Sequence, residues 1–318
     1  MNKNIDVSVI IPAYEASAFI GTAVQNCLSQ TGVTFEVIVV DDGSVVSSEQ
    51  AVADVAKGDP RVKFFQLKEN SGPAVARNVA LKEAQGRYIA VLDADDEMLL
   101  DRLAVMVTKA DEAGLDIIVD QMVSKKFGQE KSSGDTFLND FGPDPIEITL
   151  LDYVDVKNDE KFGDSLGYLK PMFRTEFLRT HSIEYKPELR NSEDYYIVAE
   201  MLVHGARMLW IPYAGYIYTI REGSLSYRLS AQKAFAVVYA EEEFQKTYAD
   251  KMSDAVKHAA RGRLDRAKKI AEFELMVEGL RTKSMASTLR GFFSSPTHIP
   301  YHVSELFMIA GKKLSARS

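Results

Sequence analysis

The chain has 318 residues, 46% of them hydrophobic, enough to bury a large core, and a net charge of -8 that argues against nucleic acid as a general partner. Its single cysteine, Cys27, excludes an internal disulfide framework and any cysteine-based zinc site and fits a reducing compartment. No apolar run reaches the roughly eighteen residues that a membrane span needs, and the polar opening from Met1 to Asp6 does not read as a signal peptide.

In chain order, Val7 to Ile11 and Phe35 to Val40 are apolar, β-branched runs expected to form central strands of a parallel sheet. Between them Phe19, Val24, Cys27 and Leu28 recur at helical spacing until Gly32. Asp41-Asp42-Gly43-Ser44 follows the second strand and leads into a short helix from about Ser47 to Lys57. Val62 to Gln66 adds a third strand, Pro73 to Ala84 a third helix closed by Gly86, and Tyr88 to Leu92 a fourth strand. This alternation is the order of a doubly wound α/β fold, in which the carboxyl ends of parallel strands share one crevice. Pro12-Ala13-Tyr14-Glu15, Asp41-Asp42 and Asp93-Ala94-Asp95-Asp96 are therefore expected to converge there.

Asp93, Asp95 and Asp96 would crowd three carboxylates at the end of one buried strand, an arrangement that calls for a hard divalent cation or a basic group. The competing reading is an acidic loop capping a helix that starts near Met98. Asp41 to Ser44 likewise reads either as a binding turn or as a plain turn with Ser44 as a helix cap.

Beyond the fourth strand, Ser124 to Asp144 is polar and expected to be a variable loop. Gly163 to Phe173 mixes aromatic and polar residues, including Tyr168, Lys170 and Phe173, as either a sugar platform or core. Asn191 to Leu202 opens a helix whose acidic first turn, Glu193-Asp194, would complement the helix dipole in any protein. Paired strands are expected at Met208 to Ile211 and Gly215 to Ile220, followed by Arg221 to Ser226. From Lys251 onward, 13 Lys and Arg face 6 Asp and Glu, a surplus of 7 positive charges that leaves -15 for the first 250 residues. This helical tail suits either an interfacial helix on anionic lipid or ordinary helices with solvated charges.

Five stretches together, Val7 to Tyr14, Glu36 to Ser44, Ser71 to Asn78, Gly86 to Asp96 and Glu193-Asp194, resemble the successive signatures of the family 2 glycosyltransferases. The resemblance covers about residues 5 to 225 and is greatest to bacterial enzymes of exopolysaccharide assembly, the succinoglycan type among them. It implies a GT-A fold, a Rossmann-like, mostly parallel sheet flanked by helices. A catalytic domain would occupy residues 1–228, with a nucleotide-sugar half at 1–120 and an acceptor half at 121–228, and a basic helical extension would follow at 229–318.

By the same resemblance, Asp42 accepts from the uracil N3–H of a UDP-sugar, and Pro12, Ala13 and Tyr14 line that pocket. Glu15 stands where the family commonly has Asn, which puts a donor contact there in question. Asp93, with Ala94 beside it, reaches the ribose, while Asp95 ligates Mn2+ or Mg2+ at the diphosphate and Asp96 supports it. Arg77 either touches the uracil or pyrophosphate or forms a plain surface salt bridge, and Arg221 begins an Arg-x-x-Ser closure segment over the diphosphate. Asp194 is the expected general base, with Glu193, Tyr168 and Lys170 on the acceptor side. Inversion at the anomeric carbon and transfer of one sugar per encounter follow. The expected acceptor is a saccharide, lipid-linked by analogy. Localisation is expected in the cytoplasm, with the tail as a candidate contact to the inner face of the membrane or to a second copy. The rivals are a non-catalytic nucleotide-sugar binder or assembly scaffold, and a nucleotidyltransferase, which would need a Gly-rich basic loop where Pro12 to Glu15 stand. No Gly-x-Gly-x-x-Gly or Gly-Lys-Ser/Thr loop is present for a nicotinamide enzyme or P-loop NTPase, and the five histidines lack ligand spacing.

Overall fold

The computed structural model describes residues 5–129, 136–138, 142–158, 166–221 and 229–315, with side chains as far as 308. The chain divides into two compact units, Met1–Gly223 and Ser224–Ser318.

The first unit is built on a nine-stranded sheet. Its strands are β1 (Val7–Ala13), β2 (Phe35–Asp41), β3 (Val62–Gln66), β4 (Tyr88–Val91), β5 (Glu97–Met98), β6 (Ile117–Lys126), β7 (Ile146–Ile148), β8 (Met172–Arg174) and β9 (Met208–Ile220). β3, β2, β1 and β4 lie side by side in parallel. β8 then runs antiparallel between β4 and β6, β9 follows parallel to β6, and β5 and β7 pair antiparallel with β9. The helices α1 (Ile20–Leu28), α2 (Glu49–Ala56), α3 (Pro73–Glu83) and α4 (Arg102–Ala113) connect the early strands, and α5 (Leu150–Val154), α6 (Thr175–His181) and α7 (Glu193–Val203) follow. Every residue of β2 is buried, as are all but Pro12 of β1, which is why these strands read as unbroken apolar runs. Cys27 packs, fully buried, in α1.

Gly86 joins this sheet to α3 by close approach. A side chain there would come within 2.5 Å of the Ser8 nitrogen. Instead the Gly86 N–H donates to Ser8 Oγ at 2.8 Å, Ser8 Oγ donates to Glu36 at 2.6 Å, and Lys63 pairs with the same carboxylate at 2.8 Å.

Three sequence expectations change. No helix starts near Met98. Residues 97–98 form β5, because Asp96 is drawn to β9, and α4 begins only at Arg102. The two strands expected at 208–211 and 215–220 are not a hairpin. They form one strand, β9, whose pairing with β6 shifts register between Asp120 and Met122, so that residues 212–215 bulge out and accommodate Pro212, which has no N–H to donate. Ser124 to Lys126, assigned to a loop, complete β6, while much of the remaining segment lies outside the described residues.

The second unit is helical: α8 (Ala231–Thr247), α9 (Asp254–Thr282), α10 (Met285–Phe293) and α11 (Ile299–Ser315). Ala234 and Val238 of α8 pack against Ala271 of α9, with Leu264 and Ile270 beside them. No described helix is long and apolar enough to cross a membrane.

Candidate active site

Because β1, β2 and β4 are parallel, the residues following each of them emerge at one edge of the sheet. At the end of β2 the two aspartates do different work. Asp41 is wholly buried and accepts from the backbone N–H groups of Ser44 at 2.8 Å and Ser48 at 2.9 Å, so it shapes its own turn. Asp42 reaches across, each carboxylate oxygen taking one N–H, from Ser71 at 2.7 Å and Gly72 at 2.8 Å. Burial raises its pKa, against the pull of these two N–H groups and of the Arg190 charge. Arg190, which sequence reasoning missed, donates to Asn70 beside this turn. Each Asp42 oxygen can accept a second bond.

Pro12 and Ala13 end β1, and Tyr14 is 42% exposed at the same edge. Glu15 has a left-handed backbone (φ 49°) and accepts from the Val45 N–H at 2.7 Å, while its own N–H donates to Ser44 Oγ at 2.8 Å. Its side chain is thus occupied in tying the first loop to the second.

The three carboxylates after β4 do not share one spot. Each goes to different partners, although they still repel one another, Asp93 acting on Asp95 and both on Asp96. Asp93 faces two cations, Arg77 at 2.8 Å and Lys170 at 2.9 Å. Burial alone would raise its pKa, but Lys170 and Arg77 outweigh it and hold the carboxyl at about 2. Asp95 takes the guanidinium of Arg221 on one oxygen, with two contacts of 3.1 Å. Burial and the neighbouring Asp93 push Asp95 up, opposed by Arg221. Asp96 is buried, accepting from Tyr216 Oη at 2.6 Å and from the Thr219 N–H at 2.7 Å, and burial pushes its carboxyl well up. Tyr216, also unforeseen, accepts in turn from the Asp93 N–H at 3.2 Å, so one phenol ties both ends of the motif to β9. Ala94 is buried between them.

Strand order explains these meetings. β8 is antiparallel to β4, with Ala90 opposite Met172, so Lys170 before β8 lies beside Asp93 after β4. β9 is antiparallel to β5, with Glu97 opposite Ile217, so Arg221 after β9 lies beside Asp95 before β5. The guanidinium of Arg221 also lies 4.4 Å from the centre of the Phe19 ring. The rest of the segment expected to follow Arg221 lies outside the described residues.

Asp194 and Glu193 open α7 and are both buried. Lys170 Nζ donates to Asp194 Oδ2 at 2.8 Å, and Arg77 lies 3.7 Å from the same oxygen. Asp194 Oδ1 is buried without a hydrogen-bond partner among the described residues. Glu193 pairs with Arg77 and its pKa is raised, chiefly by burial. Arg77 is 3% exposed, so it is no surface salt bridge. Its guanidinium gathers Asp93, Glu193 and Asp194, with the buried Tyr185 ring 5.5 Å away. Tyr168 is 55% exposed and packs on Phe137, on the same short segment as Lys170.

Among the described residues no group of three or more His, Cys, Asp and Glu side chains is placed to hold a metal. The residues therefore do not fit a resident ion caged by protein. They do fit a hard cation that takes one carboxylate oxygen from Asp95, partly exposed and already facing a cation, and the rest of its shell from substrate phosphate and water.

The family model described as glycosyl transferase family 2 matches residues 8–172, a span that holds β2 to β4, nearly all of β1, and Arg77 and Lys170, while Tyr216, Thr219 and Arg221, the other partners of Asp93 to Asp96, lie beyond it. The succinoglycan biosynthesis protein ExoO of Rhizobium meliloti is 34% identical over 322 residues, covering 100% of this chain and 89% of that protein. ExoU of the same organism, also named a succinoglycan biosynthesis protein, is 34% identical over 224 residues, 70% of this chain and 64% of its own length. Among solved structures, S. aureus TarS 1-349 in complex with UDP-GlcNAc superposes with a TM-score of 0.63 at 20% identity, covering 91% of each chain. The mannosyltransferase PcManGT from Pyrobaculum calidifontis, in complex with GDP-Man and Mn2+, gives 0.55 at 18% identity over 100% of this chain and 89% of that one. The parallel β3-β2-β1-β4 layer, the carboxylates at its carboxyl edge and the full-length match to ExoO agree: the chain belongs to glycosyl transferase family 2 and has the GT-A fold.

Proposed function

We propose that the chain moves one sugar from a nucleoside-diphosphate sugar, a UDP-sugar, to a saccharide acceptor in the assembly of a cell-surface or exported polysaccharide, with inversion at the anomeric carbon. The observation that carries this reading is Asp194. One of its oxygens is held by Lys170, and the other has no hydrogen-bond partner among the described residues, which leaves its lone pairs for an acceptor proton. Lys170 also holds Asp93, so the residue assigned to the donor ribose and the residue assigned to the acceptor proton are fixed to one ammonium group. This sharing would help to hold donor and acceptor in register, and correct positioning is a large part of the rate of a displacement.

In this reading Asp42 receives the uracil N3–H on lone pairs left by Ser71 and Gly72, and Tyr14 covers the base. Asp95 provides the protein ligand for Mn2+ or Mg2+. A divalent ion there would supply Lewis-acid neutralisation of the departing diphosphate. Arg221, which faces Asp95, is placed to add a second positive charge to that leaving group. Arg77 acts through the carboxylates rather than on the nucleotide: it orients Asp93, Glu193 and Asp194. Tyr168 and Glu193 lie on the acceptor side in this reading; ExoO and ExoU, named succinoglycan biosynthesis proteins, support a polysaccharide-building role, and the lipid-linked form of the acceptor is an analogy.

The test separates binding from chemistry. Melting of the protein is followed with UDP, GDP, CDP and dTDP, each with and without Mn2+, and donor turnover is then measured for Asp194→Asn. A UDP response that needs Mn2+ and disappears in Asp95→Ala is expected, with turnover of Asp194→Asn lower by about 10²- to 10⁴-fold at unchanged donor binding. A GDP response would move the donor to the class bound by PcManGT, and unchanged turnover in Asp194→Asn would remove its assignment as base.

A further inference from the structure

The helical unit carries an apolar face whose geometry is set by the way α10 sits on α9. Gly291 of α10 lies so close to α9 that a side chain there would come within 2.5 Å of the Glu272 carbonyl oxygen and the Met276 nitrogen. That contact turns the opposite side of α10 outward. Met285, Leu289 and Phe293, spaced four apart, are 70%, 48% and 60% exposed. Leu280 at the end of α9 and Phe307 on α11, 55% and 74% exposed, add to the apolar surface of the same unit.

The charges around this stripe are mainly basic. Arg281, Lys283 and Arg290 are exposed beside it; Glu274 and Glu278 of α9 lie near Arg281, and from Gly279 to Met308 the single acid is Glu305. The sequence beyond continues with Lys312, Lys313 and Arg317 and no acid. A second copy of the same face would set these cations against their own kind. A surface of anionic headgroups over acyl chains complements both features at once: apolar side chains in the hydrocarbon boundary and basic ones among the phosphates.

We infer that the outward face of α10, with Met285, Leu289 and Phe293 as the inserting residues and Arg281, Lys283 and Arg290 as the headgroup contacts, docks on an anionic lipid bilayer. The enzyme then works at the membrane surface by peripheral attachment. The inference does not depend on the donor or acceptor proposed above.

Co-sedimentation of the full chain with vesicles of phosphatidylcholine alone, or mixed with phosphatidylglycerol, tests it. The protein is expected to sediment with the mixed vesicles only, and less at high salt. Each basic side chain near an anionic surface contributes roughly fivefold in partition, so Arg281→Glu/Lys283→Glu/Arg290→Glu is expected to lower binding by about a hundredfold or more. Met285→Ser/Leu289→Ser/Phe293→Ser is expected to lose binding at both salt concentrations while keeping its circular dichroism and melting temperature, since all three positions are exposed. Absence of sedimentation with the mixed vesicles, or equal binding by the serine variant, overturns the inference. So does a native dimer in sedimentation equilibrium that the serine variant abolishes, which would assign the face to a second copy.

Discussion

Lys170 is the residue on which the site turns, because it neutralises two carboxylates that would otherwise face each other in a buried place. The consequence for stability follows from Asp93, whose carboxyl lies at about 2 in the fold against an ordinary value of 3.8. A depressed folded value means that the ionised carboxylate stabilises the native state. That contribution is fully present above 3.8 and is lost as pH falls toward about 2. Replacing Lys170 by Met removes the larger of the two attractions, so the loss should begin at higher pH. Urea midpoints of the native protein and Lys170→Met measured across the acid range check this: the two curves should diverge most where native Asp93 is still ionised. Parallel curves would mean that Lys170 does not hold the carboxylates it faces. That Asp93 and Asp194 would stand at one site was expected from the order of motifs, but their shared cation was not. Lys170 and Arg77 sit on other elements than the carboxylates they meet, and nothing local shows that their charges are already taken.

Among the elements, the parallel strands were legible and the antiparallel ones less so. A strand buried on both faces must be apolar throughout, and β1 and β2 carry that mark. β5 is two residues long, too short for any periodicity, and exists because Glu97 and Met98 pair with β9. The bulge in β9 looks like a turn in sequence because it contains Pro212 and Gly215, while pairing with β6 keeps the chain running on. The junction of α3 and β4 offers a direct test of close packing. Gly86→Ala would place a methyl group 2.5 Å from the Ser8 nitrogen, against backbone rather than a side chain able to rotate away. Overpacking of this kind costs about 1–3 kcal/mol or more, so the urea midpoint of Gly86→Ala should fall accordingly at unchanged m-value. A midpoint within error of the native one would show that β1 and β4 can separate to admit the methyl.

For the whole molecule, the division into two compact units puts the proposed chemistry in one and the proposed attachment in the other. Every residue assigned to donor, metal or base, from Pro12 to Arg221, belongs to the first unit, and the apolar face of α10 belongs to the second. Donor binding should therefore register in one unit. At a UDP concentration a hundred times its dissociation constant, with Mn2+ present, the first unit gains about 2.7 kcal/mol by mass action. Hydrogen exchange should show new protection at the edge formed after β1, β2 and β4 and none in α8 to α11. Protection appearing in those helices would reveal that the units are coupled through the donor.

By itself the sequence determined the order of the first four strands and their helices, the edge where the motifs meet and the family, because buried strands, glycine turns and carboxylates at strand ends leave local marks. The tertiary structure alone decided how the charges are shared. The antiparallel placement of β8 and β9 brings Lys170 to Asp93 and Arg221 to Asp95, so of three carboxylates that read as one cluster two meet a cation each, while Asp96 is held by the Tyr216 hydroxyl and the Thr219 N–H. Which cation meets which anion depends on residues remote in the chain, and that pairing decides that Asp93 is held down while burial and the neighbouring carboxylates hold Asp95 and Asp96 up.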